Sequence, residues 1–436
     1  MRTLAFNDPK FFLKLERFIH DRNVDPKVRA AVEEVLQAVQ KEGDRAVLRY
    51  TRKFDGHAFK APDLRVPADE LAAAAEALTA RQKRAVKAAM RCVRDFHREG
   101  LPRNWMGRNP QGAKVGERWY PLRRVGIYIP AGNVPLVSTV VMTTTLARLA
   151  GVDEIAVFTP PGPDGNVDAG MRAALHLAGI EEVYRIGGAQ AIAAAAFGTK
   201  TVPAVDKVMG PGNAYVTEAQ RQVFGKVGVD LLPGPSEALA IADETANPEW
   251  LAADLLAQAE HGSGREKVYY VFSDTAQRVA VEAAMKAQLK TLSHRESIRH
   301  VLKQSALAIE VADLDEAIAA TNFVAPEHLE LHVAKKHLPR LLREIRTAGA
   351  ILCGHETPTV LGDFTAGPSH TLPTGRSGRF FSGLKITDFM RRSSVVEYDR
   401  ASLVKAREVV GVFAELERLD AHGRSMEIRF AAEEKA

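Results

Sequence analysis

Two polar pairs in the sequence have residue types and spacings that suit metal binding or catalysis. In LLAQAEHG, Gln258 and His261 are three positions apart in a stretch of helical period, which places them on one helix face. Asn247 and Pro248 predict where that helix begins, and Gly262 predicts where it ends. An amide oxygen and an imidazole on one face could bind a metal ion. A solvated last turn, where a cationic histidine is favoured, is the alternative.

The second pair is Glu327 and His328 in the segment APEHL. A carboxylate beside an imidazole could supply general acid–base catalysis, since histidine titrates near neutral pH and the pKa of a glutamate can be tuned toward it. Adjacent residues of a strand point to opposite faces, so joint action requires the chain to turn at this point. A chance pair on the surface is the alternative.

Three further polar side chains lie near the C-terminus. The segment LGDFTAGPSH carries Asp363 and His370, and His422 follows in DAH. Asp363 and His422 are chemically suitable zinc ligands, but their spacing is unlike that of a compact structural zinc motif. The spacing by itself therefore predicts no metal site here.

Glycine-rich turns follow three predicted strands, at Pro130–Asn133, Gly187–Gln190 and Gly210–Asn213. Ligands of α/β sheets bind outside the carboxyl ends of the strands, where helix N-termini could hold a pyrophosphate. The sequence contains no GxGxxG at a strand–helix turn and no GxxxxGK[ST], so the motifs alone indicate neither a standard dinucleotide site nor a P-loop. Turns that only pack helices onto the sheet are the alternative.

The elements that must position these residues predict an α/β fold. From Val125 onward, short β-rich runs bounded by Gly and Pro alternate with helical runs, which indicates βαβ units and parallel sheets. A second such set begins near Ser236. We expect two Rossmann-like parallel-sheet domains, a helical N-terminal segment and a small C-terminal element. The predicted boundaries are residues 1–116 for the helical segment with a linker at its end, 117–235 and 236–365 for the two α/β domains, and 366–436 for a C-terminal loop and helical element.

The composition is that of a folded protein. Of 436 residues, 46% are hydrophobic and 26% charged, which excludes a disordered or low-complexity chain. The two cysteines, Cys92 and Cys353, exclude a disulfide framework and favour a reducing compartment. We see no signal peptide and no apolar run of about 18 residues, so we expect a cytoplasmic protein without a membrane segment. The net charge of +5 suits an anionic cofactor or substrate, and no clustered Lys/Arg stripe with aromatics predicts nucleic-acid binding.

Taken together, these segments resemble the histidinol dehydrogenase family over essentially the whole chain. The resemblance rests on long stretches in the order of the family: KEGDRAVLRYTRKFDG, RVGIYIPAGNVPLVSTVVM, RIGGAQAIAAAAFGT, VDKVMGPGNAYVTEA, PGPSEALAIAD, LLAQAEHG, APEHLEL, LGDFTAGPSHTLPTG and LERLDAHGRSMEIR. It implies a zinc-dependent, NAD-linked four-electron oxidation of L-histidinol to L-histidine through histidinaldehyde, the last two steps of histidine biosynthesis. A related NAD- and zinc-dependent dehydrogenase of another small polar alcohol is the alternative.

The resemblance also implies residue roles. Each subunit would bind one zinc ion, which anchors the substrate. The implied zinc ligands are Gln258, His261, Asp363 and His422. His328 would be the base for the alcohol proton, and Glu327 would activate the water that hydrates the aldehyde. The implied substrate pocket consists of Ser236, Gln258, His261, Glu327, His328, Asp363, His370, Glu417 and His422, and the implied NAD contacts are Tyr128, Gln190 and Asn213.

The family resemblance implies a homodimer with exchanged elements, in which Glu417 and His422 serve the site of the partner subunit. Two positions depart from the usual pattern of the family. Ala131 replaces a glycine in the first glycine-rich turn, and Gln220 replaces a common lysine after TEA. Neither is an implied metal ligand, but the alanine could alter the affinity for NAD.

Overall fold

A computed structural model of the chain describes residues 1–19, 25–131 and 135–431. The part of the first glycine-rich turn at Gly132 and Asn133 lies outside the described residues. The described residues form two compact units. The first unit comprises residues of Met1–Gly100 and Leu122–Phe389, and the second comprises Leu101–Pro121 with those from Met390 onward.

The strands of the described residues are Arg2–Ala5 (β1), Trp105–Arg108 (β2), Lys114–Pro121 (β3), Arg124–Tyr128 (β4), Glu154–Thr159 (β5), Glu182–Arg185 (β6), Lys207–Met209 (β7), Gly228–Val229 (β8), Glu237–Ala242 (β9), Lys267–Phe272 (β10), Ala306–Glu310 (β11), His328–His332 (β12), Ala350–Cys353 (β13) and Met390–Glu397 (β14).

The α-helices of the described residues are Phe11–Ile19 (α1), Pro26–Glu42 (α2), Asp44–Asp55 (α3), Ala68–Ala77 (α4), Ala80–Arg98 (α5), Val137–Ala150 (α6), Ala169–Leu177 (α7), Gly188–Phe197 (α8), Ala214–Val223 (α9), Pro248–Ala259 (α10), Thr275–Gln288 (α11), Arg295–Gln304 (α12), Leu314–Val324 (α13), Leu338–Glu344 (α14), Thr359–Phe364 (α15), Arg400–Glu417 (α16) and Asp420–Glu427 (α17). Within the described residues, none of these helices has the length and apolar character needed to cross a membrane.

The first unit contains the two predicted parallel sheets. A five-stranded sheet has the order β6-β5-β4-β7-β8, and all its neighbouring strands are parallel. Strand β4 is buried along its whole length, as a parallel strand covered by helices on both faces must be. From β4 the chain continues to β5 on one side, and from β7 it continues to β8 on the other side. The direction in which strands are added therefore reverses between β4 and β7, which is a topological switch point. Ligands of such sheets bind at the carboxyl ends beside this point.

The second parallel sheet has six strands in the order β1-β11-β10-β9-β12-β13. Its order reverses between β9 and β12, which are neighbours with His328 opposite Ala238. Strand β1 shows that the mainly helical N-terminal segment also adds an edge strand to this sheet. Both faces of the central strands are covered by apolar clusters, one built on Leu239 and the other on Ala240.

The second unit contains an antiparallel sheet that the sequence did not predict. Its order is β14-β3-β2, and β3 pairs with β14 from Lys114 opposite Glu397 to Pro121 opposite Met390. The linker predicted at the end of residues 1–116 therefore includes β2 and the first part of β3. A strand also precedes the two C-terminal helices, where a loop was predicted. These strands are largely exposed, so they lack the apolar alternation that reveals a half-buried strand.

A buried cation joins the amino ends of three strands in the five-stranded sheet. Arg124 begins β4 and is 2% exposed. Its guanidinium donates to Glu154 at 2.7 Å and to Glu182 at 2.9 Å, and these carboxylates begin β5 and β6. Because Glu182 is itself largely buried, removing the arginine would leave an uncompensated charge in the protein interior.

We therefore expect Arg124→Met to lower the free energy of unfolding by about 3 kcal/mol, measured by urea denaturation. The neighbouring Arg123 pairs with the same Glu154 but is mostly exposed, so Arg123→Met should cost less than about 1 kcal/mol. Equal losses in the two variants would contradict the assigned role of the buried ion pair.

Candidate functional site

The chain turns immediately before the Glu327–His328 pair. Helix α13 ends at Val324, Ala325 has a left-handed conformation with φ of 50°, and Pro326 follows. Strand β12 begins only at His328, so Glu327 remains outside the strand and the two side chains are not forced to opposite faces. Glu327 is 6% and His328 3% exposed, and Oε2 of the first lies 3.7 Å from Nδ1 of the second. The pair is a buried unit and not a chance pair on the surface.

The carboxyl group of Glu327 is held by the beginning of β9. Its Oε2 accepts hydrogen bonds from the hydroxyl of Ser236 at 2.7 Å and from the backbone N–H of Glu237 at 2.8 Å. The side-chain amide of Gln258 donates to the Ser236 oxygen at 3.1 Å. Burial raises the pKa of Glu327 to about 8, although the two hydrogen bonds oppose the shift. Its Oε1 makes no hydrogen bond to a described residue and remains available to a reactant.

The imidazole of His328 has one occupied nitrogen and one available nitrogen. Nδ1 lies 3.4 Å from the backbone oxygen of Glu237. A carbonyl oxygen can only accept, so this contact assigns the proton to Nδ1 and leaves Nε2 unprotonated. Burial, followed by the nearby His261 imidazole, lowers the pKa of His328 to about 4. The imidazole is therefore neutral at pH 7 and able to accept a proton at Nε2.

Asp363 faces the available nitrogen of His328 and a second imidazole. It lies on α15, it is 9% exposed, and its Oδ1 is 3.8 Å from His328 Nε2 and 3.9 Å from Nδ1 of His370. Nε2 of His370 lies 3.2 Å from the hydroxyl of Thr139 on α6. Burial raises the pKa of Asp363 to about 6, while the His261 imidazole opposes this shift. Among the described residues no group donates a hydrogen bond to this buried carboxylate.

His261 differs slightly from its predicted placement. Helix α10 begins as predicted, since the side chain of Asn247 caps it and Pro248 is its first residue. It ends at Ala259, however, so His261 lies two positions beyond the helix and not in its last turn. Its Nδ1 lies 3.2 Å from the backbone oxygen of Gln258, which keeps the two residues adjacent.

The cluster around Glu327 and His328, which includes Ser236, Gln258 and Asp363, forms at the amino ends of β9 and β12 and not at the carboxyl ends. Ser236 and Glu327 each directly precede a strand, and Gln258 lies in the last turn of α10. Because α10 connects two parallel strands, it must run back from the carboxyl edge to the amino edge of the sheet. This return brings Gln258 to Ser236.

Two of the predicted site residues belong to the second unit. Glu417 is the last residue of α16, and His422 lies in α17. Both are exposed. Their predicted service to the site of a partner subunit stays a prediction.

The predicted NAD contacts lie at or just after the carboxyl ends of three strands of the five-stranded sheet. Tyr128 ends β4 and Asn213 follows β7, the two strands that flank the switch point, and Gln190 follows the edge strand β6. The hydroxyl of Tyr128 accepts a hydrogen bond from the backbone N–H of Gly188 at 3.1 Å. Gly210 has φ of 104°, and a Cβ there would lie 2.2 Å from the backbone oxygen of Tyr128. Only glycine allows this close approach, which brings the third glycine-rich turn against the end of β4.

Gln190 lies in the first turn of α8, and Asn213 directly precedes α9. Gln190 is fully buried, and its amide donates to Asp55 of α3 at 3.3 Å, while its Oε1 has no hydrogen-bond partner among the described residues. Asn213 caps α9 by accepting from the backbone N–H groups of Tyr215 and Val216 at 3.0 and 3.2 Å. Gln220, which stands where the family commonly has a lysine, is buried and donates to the backbone oxygen of Gly210 at 2.9 Å. It therefore stabilises the third glycine-rich turn.

A second buried cluster, which the sequence pattern did not predict, lies next to the first. Glu330 and His332 share the face of β12 that carries His328, because side chains of a strand alternate. Nε2 of His332 lies 3.4 Å from Asp254 and 3.6 Å from Glu330. These three side chains could hold a metal ion. Burial lowers the pKa of His332, but the two carboxylates outweigh this effect and raise the pKa to about 9. A proton on His332 can therefore take the place of a metal ion in this cluster. The alternation of polar and apolar residues in HLELH could have indicated that His328, Glu330 and His332 share one face of a strand.

Comparison with known proteins gives one consistent answer. A family model described as histidinol dehydrogenase matches residues 20–430. The histidinol dehydrogenase of a Synechococcus species is 43% identical over 419 residues, 95% of this chain and 96% of that protein. That of Syntrophotalea carbinolica is 42% identical over 430 residues, 98% of this chain and 99% of that protein.

A solved structure agrees. The crystal structure of histidinol dehydrogenase from Elizabethkingia anophelis superimposes with a TM-score of 0.93 at 32% identity, covering 99% of this chain and 98% of that one. The family model and these relatives span nearly the whole sequence. The chain therefore belongs to the histidinol dehydrogenase family and is an oxidoreductase.

Proposed function

We propose that the protein oxidises L-histidinol to L-histidine through histidinaldehyde, with two molecules of NAD+ and one zinc ion per subunit. Membership of the family supports the substrate and the reaction class. The observation that carries the mechanism is the buried pair of Glu327 and His328, in which a neutral imidazole lies beside a carboxyl group of raised pKa. The balanced reaction consumes the alcohol, two NAD+ and one water, and yields the carboxylate, two NADH and three protons.

The donor set of the first cluster fits a zinc ion. Asp363 is a buried carboxylate that faces imidazole nitrogens and receives no hydrogen bond from a described residue, so a cation would compensate its charge. Gln258 donates from its NH2 group to the Ser236 oxygen at 3.1 Å, and its Oε1 lies 3.5 Å from the same hydroxyl. Because that hydroxyl donates its one proton to Glu327 at 2.7 Å, we assign the Oε1 of Gln258 to the ion. We propose that these two residues hold zinc with His261 and with His422 of the partner subunit. When bound, the ion supplies a Lewis acid that anchors and orients the amino and imidazole nitrogens of the substrate.

His328 is the base of the oxidation steps in this proposal. Its Nδ1–H is directed to the backbone oxygen of Glu237, so Nε2 takes the proton of the alcohol while hydride leaves for NAD+. The low pKa keeps this nitrogen unprotonated at neutral pH, and the backbone contact fixes the orientation of the ring.

Glu327 activates water between the two oxidations. Its Oε2 is held by Ser236 and by the N–H of Glu237, and its Oε1 is left to take a proton from the water that adds to the aldehyde. The raised pKa places this carboxyl near the operating pH, where a general acid or base is most effective. The second hydride transfer then yields the carboxylate of histidine.

We propose that NAD binds at the switch point of the five-stranded sheet, on Tyr128, Gln190 and Asn213. Helices α8 and α9 begin there, and the positive ends of their dipoles suit a pyrophosphate. For the backbone N–H groups to bind it directly, Tyr128 must release that of Gly188 or Asn213 those of Tyr215 and Val216. Gln190 is fully buried, so its direct contact with the dinucleotide requires a shift of the adjacent turn. The same proposal makes the protein a cytoplasmic homodimer in which each subunit contributes Glu417 and His422 to the site of the other. It includes no nucleic-acid or membrane partner.

His328→Asn should lower kcat by about 10²–10⁴-fold, the usual contribution of a general base, while zinc content and the affinity for L-histidinol stay near those of the wild type. NADH formation at saturating substrate measures kcat. His97→Asn is the control, because it removes another buried imidazole that has no contact with the cluster among the described residues. Near-normal turnover of His328→Asn would remove this residue from the mechanism.

His261→Asn should lower the zinc content of the purified protein well below one ion per subunit, because an imidazole ligand is lost. The measurement is elemental analysis after dialysis against buffer of low metal content. His300→Asn removes an exposed histidine and should leave the zinc content unchanged, which controls for ions bound at the surface. Full occupancy in His261→Asn would reject the ligand assignment.

A further inference from the structure

The cluster of Asp254, Glu330 and His332 lies where three elements of the first site meet. Asp254 is on α10, one helical turn before Gln258, and therefore on the same helix face. Glu330 and His332 lie on the face of β12 that begins with His328. The cluster is thus continuous with the proposed zinc site along two separate elements.

The third element is α15, which carries Asp363. This helix has six residues, and Pro358 precedes it without a side-chain cap. Oε1 of Glu330 instead accepts both the backbone N–H and the hydroxyl of Thr359, the first residue of the helix, each at 2.7 Å. A carboxylate at this position satisfies an orphan N–H and interacts favourably with the helix dipole. One carboxylate of β12 thereby fixes the beginning of the helix that carries Asp363.

The other oxygen of Glu330 faces a buried imidazole. Its Oε2 lies 3.6 Å from Nε2 of His332, which is 1% exposed and also lies 3.4 Å from Oδ2 of Asp254. An imidazolium between two carboxylates leaves neither of them as an isolated buried charge. His332 therefore lies between Asp254 of α10 and Glu330 of β12, and through Thr359 the Glu330 side chain restrains α15 relative to β12.

We propose that Glu330 is a positioning residue for the zinc site, which holds Asp363 at its ligand position by anchoring Thr359. The inference rests on the proposed zinc site. Groups that orient the ligands of a metal typically contribute about 10- to 100-fold to its affinity. Glu330 contacts neither substrate nor metal in this account, so its effect is on zinc affinity, through the geometry of α15.

The test measures the zinc dissociation constant of purified full-length protein by competition with a chromophoric chelator. Glu330→Met removes the anchor and should raise the constant by about 10- to 100-fold. Glu330→Gln keeps an acceptor oxygen for Thr359 and should retain most of the affinity. Leu331→Ala is the matched control, because it opens a cavity on the opposite, apolar face of the same strand and lowers the melting temperature without touching the anchor.

Three results would overturn the inference: wild-type affinity in Glu330→Met, an equal loss in Leu331→Ala, or an equal loss in Glu330→Gln. Should Glu330→Met fail to fold, Thr359→Val carries the test, since it removes one of the two hydrogen bonds and should weaken zinc binding where Thr359→Ser does not. Two zinc ions per wild-type subunit, with one lost in His332→Gln, would show that the cluster is itself a metal site. If the wild-type protein binds no zinc, both the inference and the proposed function fail, whereas an unaffected Glu330→Met fails the inference alone.

Discussion

The burial of ionisable groups at the amino ends of β9 and β12 is the constraint on which the rest of the site depends. Glu327, His328 and Asp363 are each less than one-tenth exposed, and a buried charge must be compensated or neutralised. The protein supplies part of that compensation through Ser236 and the N–H of Glu237, which hold one oxygen of Glu327. It leaves Asp363 without a hydrogen-bond donor among the described residues. That imbalance explains why the site suits a cation.

The two parallel sheets contribute in different ways. The five-stranded sheet follows the general rule, since its glycine-rich turns and helix N-termini gather at the carboxyl ends of the strands. The six-stranded sheet uses its amino edge, because the helix after β9 returns Gln258 to Ser236 and the turn at Ala325 leaves Glu327 outside β12. Residues far apart in sequence therefore meet where the backbone turns.

Much of the fold of the first unit could be predicted from local signals. The alternation of strands and helices and the Asn247 cap followed by Pro248 are local, and the structure contains both. The exposed strands β2, β3 and β14 could not be predicted, because exposed residues carry no apolar period. Contact of Glu327 with Ser236, 91 positions away, depends on strand order, which periodicity does not reveal. The zinc and NAD roles came from family resemblance and not from spacing.

The central claim is that one zinc-dependent site performs both oxidations. The most direct measurement is the amount of NADH formed per L-histidinol consumed by the purified protein, with a chelator present and after zinc is restored. The account predicts two NADH per alcohol, loss of turnover on chelation and recovery with zinc. One NADH per alcohol with released aldehyde, or unchanged turnover after complete removal of the metal, would contradict it.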